Sequence, residues 1–95
     1  MRKNSPQRLS RTFTLKNELG LHARAAALFA KTASKYQSKV RVHHGSQEAN
    51  GKSIMEILTL GAGCDAEIQV TVQGPDALQA LQSLDQLLGN RFGEK

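Results

Sequence analysis

The fold class predicted is α+β, an open-faced β-sandwich in which a four-stranded antiparallel sheet carries three helices on one face, in the order β-α-β-β-α-β-α. Two observations predict it. Segments in which apolar residues alternate with polar ones are interleaved with segments whose apolar residues recur every three or four positions. Each alternating segment is also apolar on one face only, as in a sheet covered on one side, whereas strands of a parallel sheet read as continuous apolar runs. The 95 residues suit one such domain, at 9–95, preceded by a basic tail at 1–8 that contains Pro6.

Taken in order, Leu9, Phe13 and Leu15 alternate with Ser10, Thr12, Thr14 and Lys16 as a first strand, with Arg11 interrupting the apolar face. After a turn at Asn17 to Gly20, the stripe Ala26, Phe29, Ala30, Ala33 and Tyr36 predicts a helix over 23–36, its alanines allowing close approach to a sheet. Val40 and Val42 mark a second strand. Gly45-Ser46 supplies a turn into a short polar strand at Gln47 to Asn50, completing a hairpin. Ser53 and Glu56 have the spacing of a capping box, which starts a short helix running to about Leu60. Gly61-Ala62-Gly63 stops it. Ile68, Val70 and Val72 alternate as the fourth strand, and Gly74-Pro75 opens a last helix whose leucines, Leu78, Leu81, Leu84 and Leu88, are assigned to the core before Gly89-Asn90 ends it.

Composition narrows the function classes. Cys64 is the only cysteine, which excludes a disulfide within the chain and a cysteine metal cage and favours a reducing compartment. Neither a signal-peptide pattern nor an apolar run of membrane-spanning length is present, so a cytoplasmic protein without membrane insertion is expected. The net charge of +5 is uneven: Arg2, Lys3, Arg8 and Arg11 fall in the first eleven residues without an acid, 12–61 is basic and the last third acidic. That field suits an acidic protein partner. Nucleic-acid binding is poorly supported, because the only aromatic on a predicted strand is Phe13, read as inward-facing. His43 and His44 are strand neighbours and point to opposite faces, so they cannot share a metal, and neither metal nor cofactor is expected.

Chemistry concentrates in Gly20-Leu21-His22-Ala23-Arg24, at the junction of the first strand and first helix. At a helix N-terminus, free amides and the positive end of the helix dipole favour an anion and disfavour a protonated imidazole, leaving a neutral nucleophile. Arg24 could fold its guanidinium over phosphoryl oxygens held there. Gly20 would leave room for a donor group to approach. Spacing alone favours the plainer alternative, a histidine that merely caps the helix beside a solvated arginine.

Two motifs in order, Gly20-Leu21-His22-Ala23-Arg24 and Lys52-Ser53-Ile54-Met55 followed by Leu60-Gly61, resemble those of the HPr family, the histidine-containing phosphocarriers of the bacterial phosphoenolpyruvate-dependent phosphotransferase system. The resemblance runs from Leu9 to about Asn90 and implies the same fold. It also implies that the chain is a phosphoryl carrier and not an enzyme, with His22 the acceptor (a pros-phosphohistidine intermediate), Arg24 assisting transfer, Ser53 the regulatory serine, and Ile54, Met55 and Leu58 docking partners. Those partners would be Enzyme I, EIIA-type components and, where Ser53 is modified, an HPr kinase/phosphorylase. One departure is Ala25, where the family usually has proline.

A phosphate on Ser53 would add roughly two negative charges beside Ile54, Met55 and Leu58. The alternative function is a non-catalytic HPr-like regulator that uses the same surface for protein binding and tolerates loss of His22. A monomer is expected, since no long apolar surface segment remains after the core is assigned.

Overall fold

The computed structural model describes residues 7–94. Strand β1 covers Gln7–Thr14, β2 Lys39–His44, β3 Gln47–Asn50 and β4 Glu67–Gly74; helix α1 covers Ala23–Ala33, α2 Ile54–Thr59 and α3 Ala77–Gly89. The strands form one sheet in the order β1-β4-β2-β3 with every neighbouring pair antiparallel, and the α+β order β-α-β-β-α-β-α is the one expected. The sheet begins earlier than expected, since Gln7 and Arg8, assigned to the tail, pair with Gly74 and Gln73. The rest of the expected tail, 1–6, lies outside the described residues.

Alternation places one row of side chains on the helix side: Leu9 and Phe13 of β1, Val40 and Val42 of β2, Ala49 of β3, and Ile68, Val70 and Val72 of β4. The register puts Val72 between Leu9 and Val40, and Val70 opposite Val42, so β4 is the spine of the core. Burying each of these valines contributes roughly 1.5–3 kcal/mol. Arg11 sits in the same row without breaking the face, because its guanidinium reaches Asp85 on α3 at 2.6 Å. The Arg11 side chain is 52% exposed, so its charge stays at the surface. The opposite face is polar, with Ser10 bonded to Thr71 across strands at 2.8 Å.

Helix α1 packs on α2 and α3, presenting Ala25, Ala26, Phe29, Ala30 and Ala33 inward. It ends at Ala33, three residues before the expected limit. Ser34 caps it, and Tyr36 leaves the helix with its hydroxyl bonded to Ser83 of α3. In α3 the buried stripe is Ala77, Ala80, Leu81, Leu84 and Leu88, and Leu78 is 48% exposed, contrary to its assignment to the core. Ala77 takes the inward position of the first turn, and Leu78, about 100° further round, faces outward.

Ser53 caps α2 as expected, its hydroxyl accepting from the Glu56 amide at 3.2 Å. The reciprocal half differs. The Glu56 carboxylate accepts from the Asn50 amide at 2.9 Å, because the Ser53 amide already donates to the Asn50 carbonyl.

Beyond α3 the chain makes a short 3-10 turn, Arg91–Gly93, with left-handed φ at Arg91 (54°), Phe92 (56°) and Gly93 (74°). Left-handed backbone costs a non-glycine residue roughly 1–2 kcal/mol. Burial of the Phe92 ring, which is 2% exposed within the core cluster, offsets that cost.

Candidate functional site

The loop between β1 and α1 is fixed from both ends. Leu15 extends the pairing past β1, its amide donating to the Ala66 carbonyl and its carbonyl accepting from the Asp65 amide. The Leu21 amide then donates to the Ala62 carbonyl at 2.9 Å. Between these anchors Asn17 is fully buried, and its amide donates to the Gly20 carbonyl at 2.8 Å. Gly20 has φ +60°, and a Cβ there would overlap the Ala62 carbonyl oxygen and lie 2.6 Å from Gly63 Cα. The space beside Gly20 is therefore filled by the chain's own backbone, which corrects the expectation that it admits a donor group.

This loop delivers His22 to the N-cap position of α1 in extended conformation, with no side-chain cap bond. The ring makes no bond to the helix amides, and Nε2 lies 2.9 Å from both carboxylate oxygens of Glu94. The first rung of the helix runs from the Ala26 amide to the His22 carbonyl, which leaves the amides of residues 23–25 outside the helical ladder. Ala25, fully buried, retains an amide that proline would lack.

Glu94 is the hub of the site. Its Oε1 accepts from the Asn17 amide at 2.9 Å, and its Oε2 accepts from Arg24 at 2.8 Å. Arg24 also donates to the Phe92 carbonyl at 3.3 Å. The bond from Asn17, followed by those from His22 and Arg24, holds the Glu94 carboxyl below its ordinary pKa against the desolvation that opposes it. The carboxylate is thus ionised at neutral pH, seated between an imidazole, a guanidinium and a carboxamide. His22, Arg24 and Glu94 line one open depression together with Glu18 and Leu19.

His22 and Arg24 both contact the Glu94 carboxylate, a partner that lies outside the motif around His22. Three participants were missed. Asn17 reads as an ordinary turn residue, while Phe92 and Glu94 lie beyond a helix stop; the one available signal was a bulky aromatic placed after that stop.

Ser53 caps α2, and Ile54, Met55 and Leu58 lie on it, outside this hydrogen-bond network. Ile54, Met55 and Leu58 are exposed, Met55 at 74%, while Ile57 is buried beneath them. Leu19, 67% exposed in the loop before His22, is a further apolar residue. His44 is structural, its Nδ1 2.8 Å from the Leu60 carbonyl oxygen, and His43 stands on the polar face near Glu48. No grouping of three or more metal-ligating side chains occurs among the described residues, and Cys64 is exposed.

The family described as "PTS HPr component phosphorylation site" matches residues 9–90, the stretch that holds both sequence motifs. The chain belongs to the HPr family. Relatives include the phosphocarrier protein HPr of Treponema pallidum, 38% identical over 85 residues (90% of this chain and 97% of that protein). The HPr of Xylella fastidiosa strain Temecula1 is 42% identical over 86 residues, again with 90% and 97% covered. The crystal structure of HPr from Thermoanaerobacter tengcongensis superposes with a TM-score of 0.88 at 39% identity, covering 92% of this chain and 98% of that one. As an HPr the chain is a phosphocarrier of the phosphotransferase system, exchanging phosphoryl groups with partner proteins and not turning over a substrate of its own. No helix among the described residues is long and apolar enough to cross a membrane.

Proposed function

We propose that His22 is the residue that carries the phosphoryl group, as a pros (Nδ1) phosphohistidine, taking it from phosphorylated Enzyme I and yielding it to EIIA-type components in the cytoplasm. The observation that carries this reading is the Glu94 carboxylate, 2.9 Å from Nε2 of the His22 ring and bonded to Arg24 at 2.8 Å: it engages one ring nitrogen and brings the guanidinium beside the imidazole. Nδ1 is the ring nitrogen left outside that contact. Arg24, with a side chain 60% exposed, is free to move between the carboxylate and phosphoryl oxygens, for which its fork is suited.

Docking falls to Ile54, Met55 and Leu58, whose small exposed apolar surface suits brief encounters between monomers and their partners. Phosphorylation of Ser53 by an HPr kinase/phosphorylase would place roughly two negative charges next to that surface and repel an acidic partner.

The test is transfer from Enzyme I charged with phosphoenolpyruvate, followed by rapid quench in wild type, His22→Ala, Arg24→Ala and stoichiometrically Ser53-phosphorylated protein. His22→Ala should accept nothing. Arg24→Ala should accept at least about tenfold more slowly, the scale of one charge-assisted hydrogen bond. Phosphorylated Ser53 should slow acceptance without abolishing it. Full acceptance by His22→Ala sinks the assignment, and unchanged transfer after Ser53 phosphorylation sinks the regulatory role.

A further inference from the structure

We infer that Glu94 is a positioning residue for His22: by accepting a hydrogen bond at Nε2 it holds the ring in the tautomer that leaves Nδ1 with its lone pair, and it stabilises the positive charge the ring acquires on phosphorylation. This deepens the assignment of His22 as the phosphoryl acceptor and rests on it.

An ionised carboxylate only accepts hydrogen bonds, so with both its oxygens 2.9 Å from Nε2 the proton of a neutral His22 ring must sit on Nε2. Nδ1 is then unprotonated and nucleophilic. The carboxylate is itself held in place. Asn17 grips Oε1 from beneath and cannot move without releasing the Gly20 carbonyl it also binds. On the other side Arg24 holds Oε2 and the Phe92 carbonyl. Phe92, buried in the core two residues earlier, fixes the backbone from which Glu94 projects. The Glu94 side chain is only 18% exposed, so its field acts on the ring through less water than a surface charge would.

The chemistry balances without a proton changing hands. The Nδ1 lone pair of neutral His22 forms a bond to phosphorus while the bond from phosphorus to the donor protein's imidazole nitrogen breaks, and that nitrogen keeps the electron pair. His22 retains its Nε2 proton, so its ring becomes an imidazolium carrying a phosphoryl dianion. The donor's ring loses the equivalent positive charge. Glu94 faces the nitrogen that remains protonated throughout and strengthens its bond as the charge develops, the same division of labour by which a carboxylate orients the histidine of a hydrolytic triad without taking its proton.

Two variants separate this role from packing, both retaining Phe92. Gln at 94 can still accept from Nε2 but carries no charge; Ala can do neither. Imidazole nitrogen-15 shifts at alkaline pH report the tautomer, and amide spectra of the same samples report the fold. The expected pattern is a rise of the Nδ1-protonated form in Glu94→Ala and not in Glu94→Gln, with transfer from charged Enzyme I slowed about tenfold in both, the weight of one charge-assisted bond gained in the transition state. Wild-type tautomer ratios and rates in both variants would reduce Glu94 to packing. Faster transfer in either would overturn the inference by making the carboxylate a block on the phosphoryl seat. If wild-type His22 accepts no phosphoryl group at all, the acceptor assignment fails, and the tautomer measurement still reports whether Glu94 sets the ring.

Discussion

Replacing Phe92 by alanine tests whether the segment after α3 is built into the fold. The ring is 2% exposed and belongs to the core cluster, and truncations of buried phenylalanine cost roughly 3–5 kcal/mol. The low end applies, because the cavity would open beneath a three-residue turn that can partly follow the missing ring. Alanine would also keep the left-handed cost at φ 56° while losing the burial that offsets it. The expected loss is about 3 kcal/mol. Read as a urea midpoint, with a slope of about 1–1.5 kcal/mol per molar for a domain this small, that is a fall of about 2–3 M with the slope unchanged. Phe92→Leu should lose only about 1 kcal/mol, since it refills most of the volume. A loss below about 1 kcal/mol for the alanine variant, or equal losses for the two, would mean that Phe92 does not anchor this segment, and Glu94 would have no fixed base.

Gly20→Ala should destabilise by at least about 2 kcal/mol in the same assay, combining left-handed strain with overlap on the Ala62 carbonyl; a neutral substitution would contradict the tight loop. Acid should unfold the protein partly through Asp76 and Glu94. The Ser38 hydroxyl, then the Gln37 amide, lowers the Asp76 pKa, as the Asn17 bond lowers that of Glu94. A depressed folded pKa gives stability that is complete above the unfolded values of roughly 4 and is lost as pH falls through the folded ones. Urea midpoints should therefore fall as the pH drops below about 4, less steeply in Asp76→Asn and Glu94→Gln, and an identical slope in all three proteins would be the contrary result. Met55→Glu, at a position 74% exposed, should leave stability within about 0.5 kcal/mol while raising the concentration needed for half-maximal transfer. Unchanged concentration dependence would remove Met55 from the docking surface.

The parts of the fold that were legible in the sequence are those where one local rule decides. Ile68, Val70 and Val72 alternate because β4 has one covered face, and Gly89-Asn90 ends α3 because a helix stop is a short-range signal. What was not legible depends on residues far apart in the chain. Arg11 looks like a break in a strand until Asp85, 74 residues away, receives its charge. Tyr36 continues the α1 stripe on paper, yet its hydroxyl is drawn off to Ser83. Leu78 fits a leucine pattern, but the small Ala77 and Ala80 let α3 lie close to the sheet on a different stripe. The site divides the same way. His22 and Arg24 are two residues apart at a strand-to-helix junction and could be picked out by position and by family resemblance. Their partner Glu94 is brought in across 72 residues by a buried ring and three left-handed residues, which no periodicity announces.

The central claim is that His22 carries the phosphoryl group, and its most direct test is intact mass after incubation with phosphoenolpyruvate and a cognate Enzyme I, for wild type and His22→Ala, before and after mild acid. The account predicts a gain of one phosphoryl group that acid removes and that the variant never shows. A gain that survives acid, or one that persists in His22→Ala, would place the phosphoryl group elsewhere and contradict it.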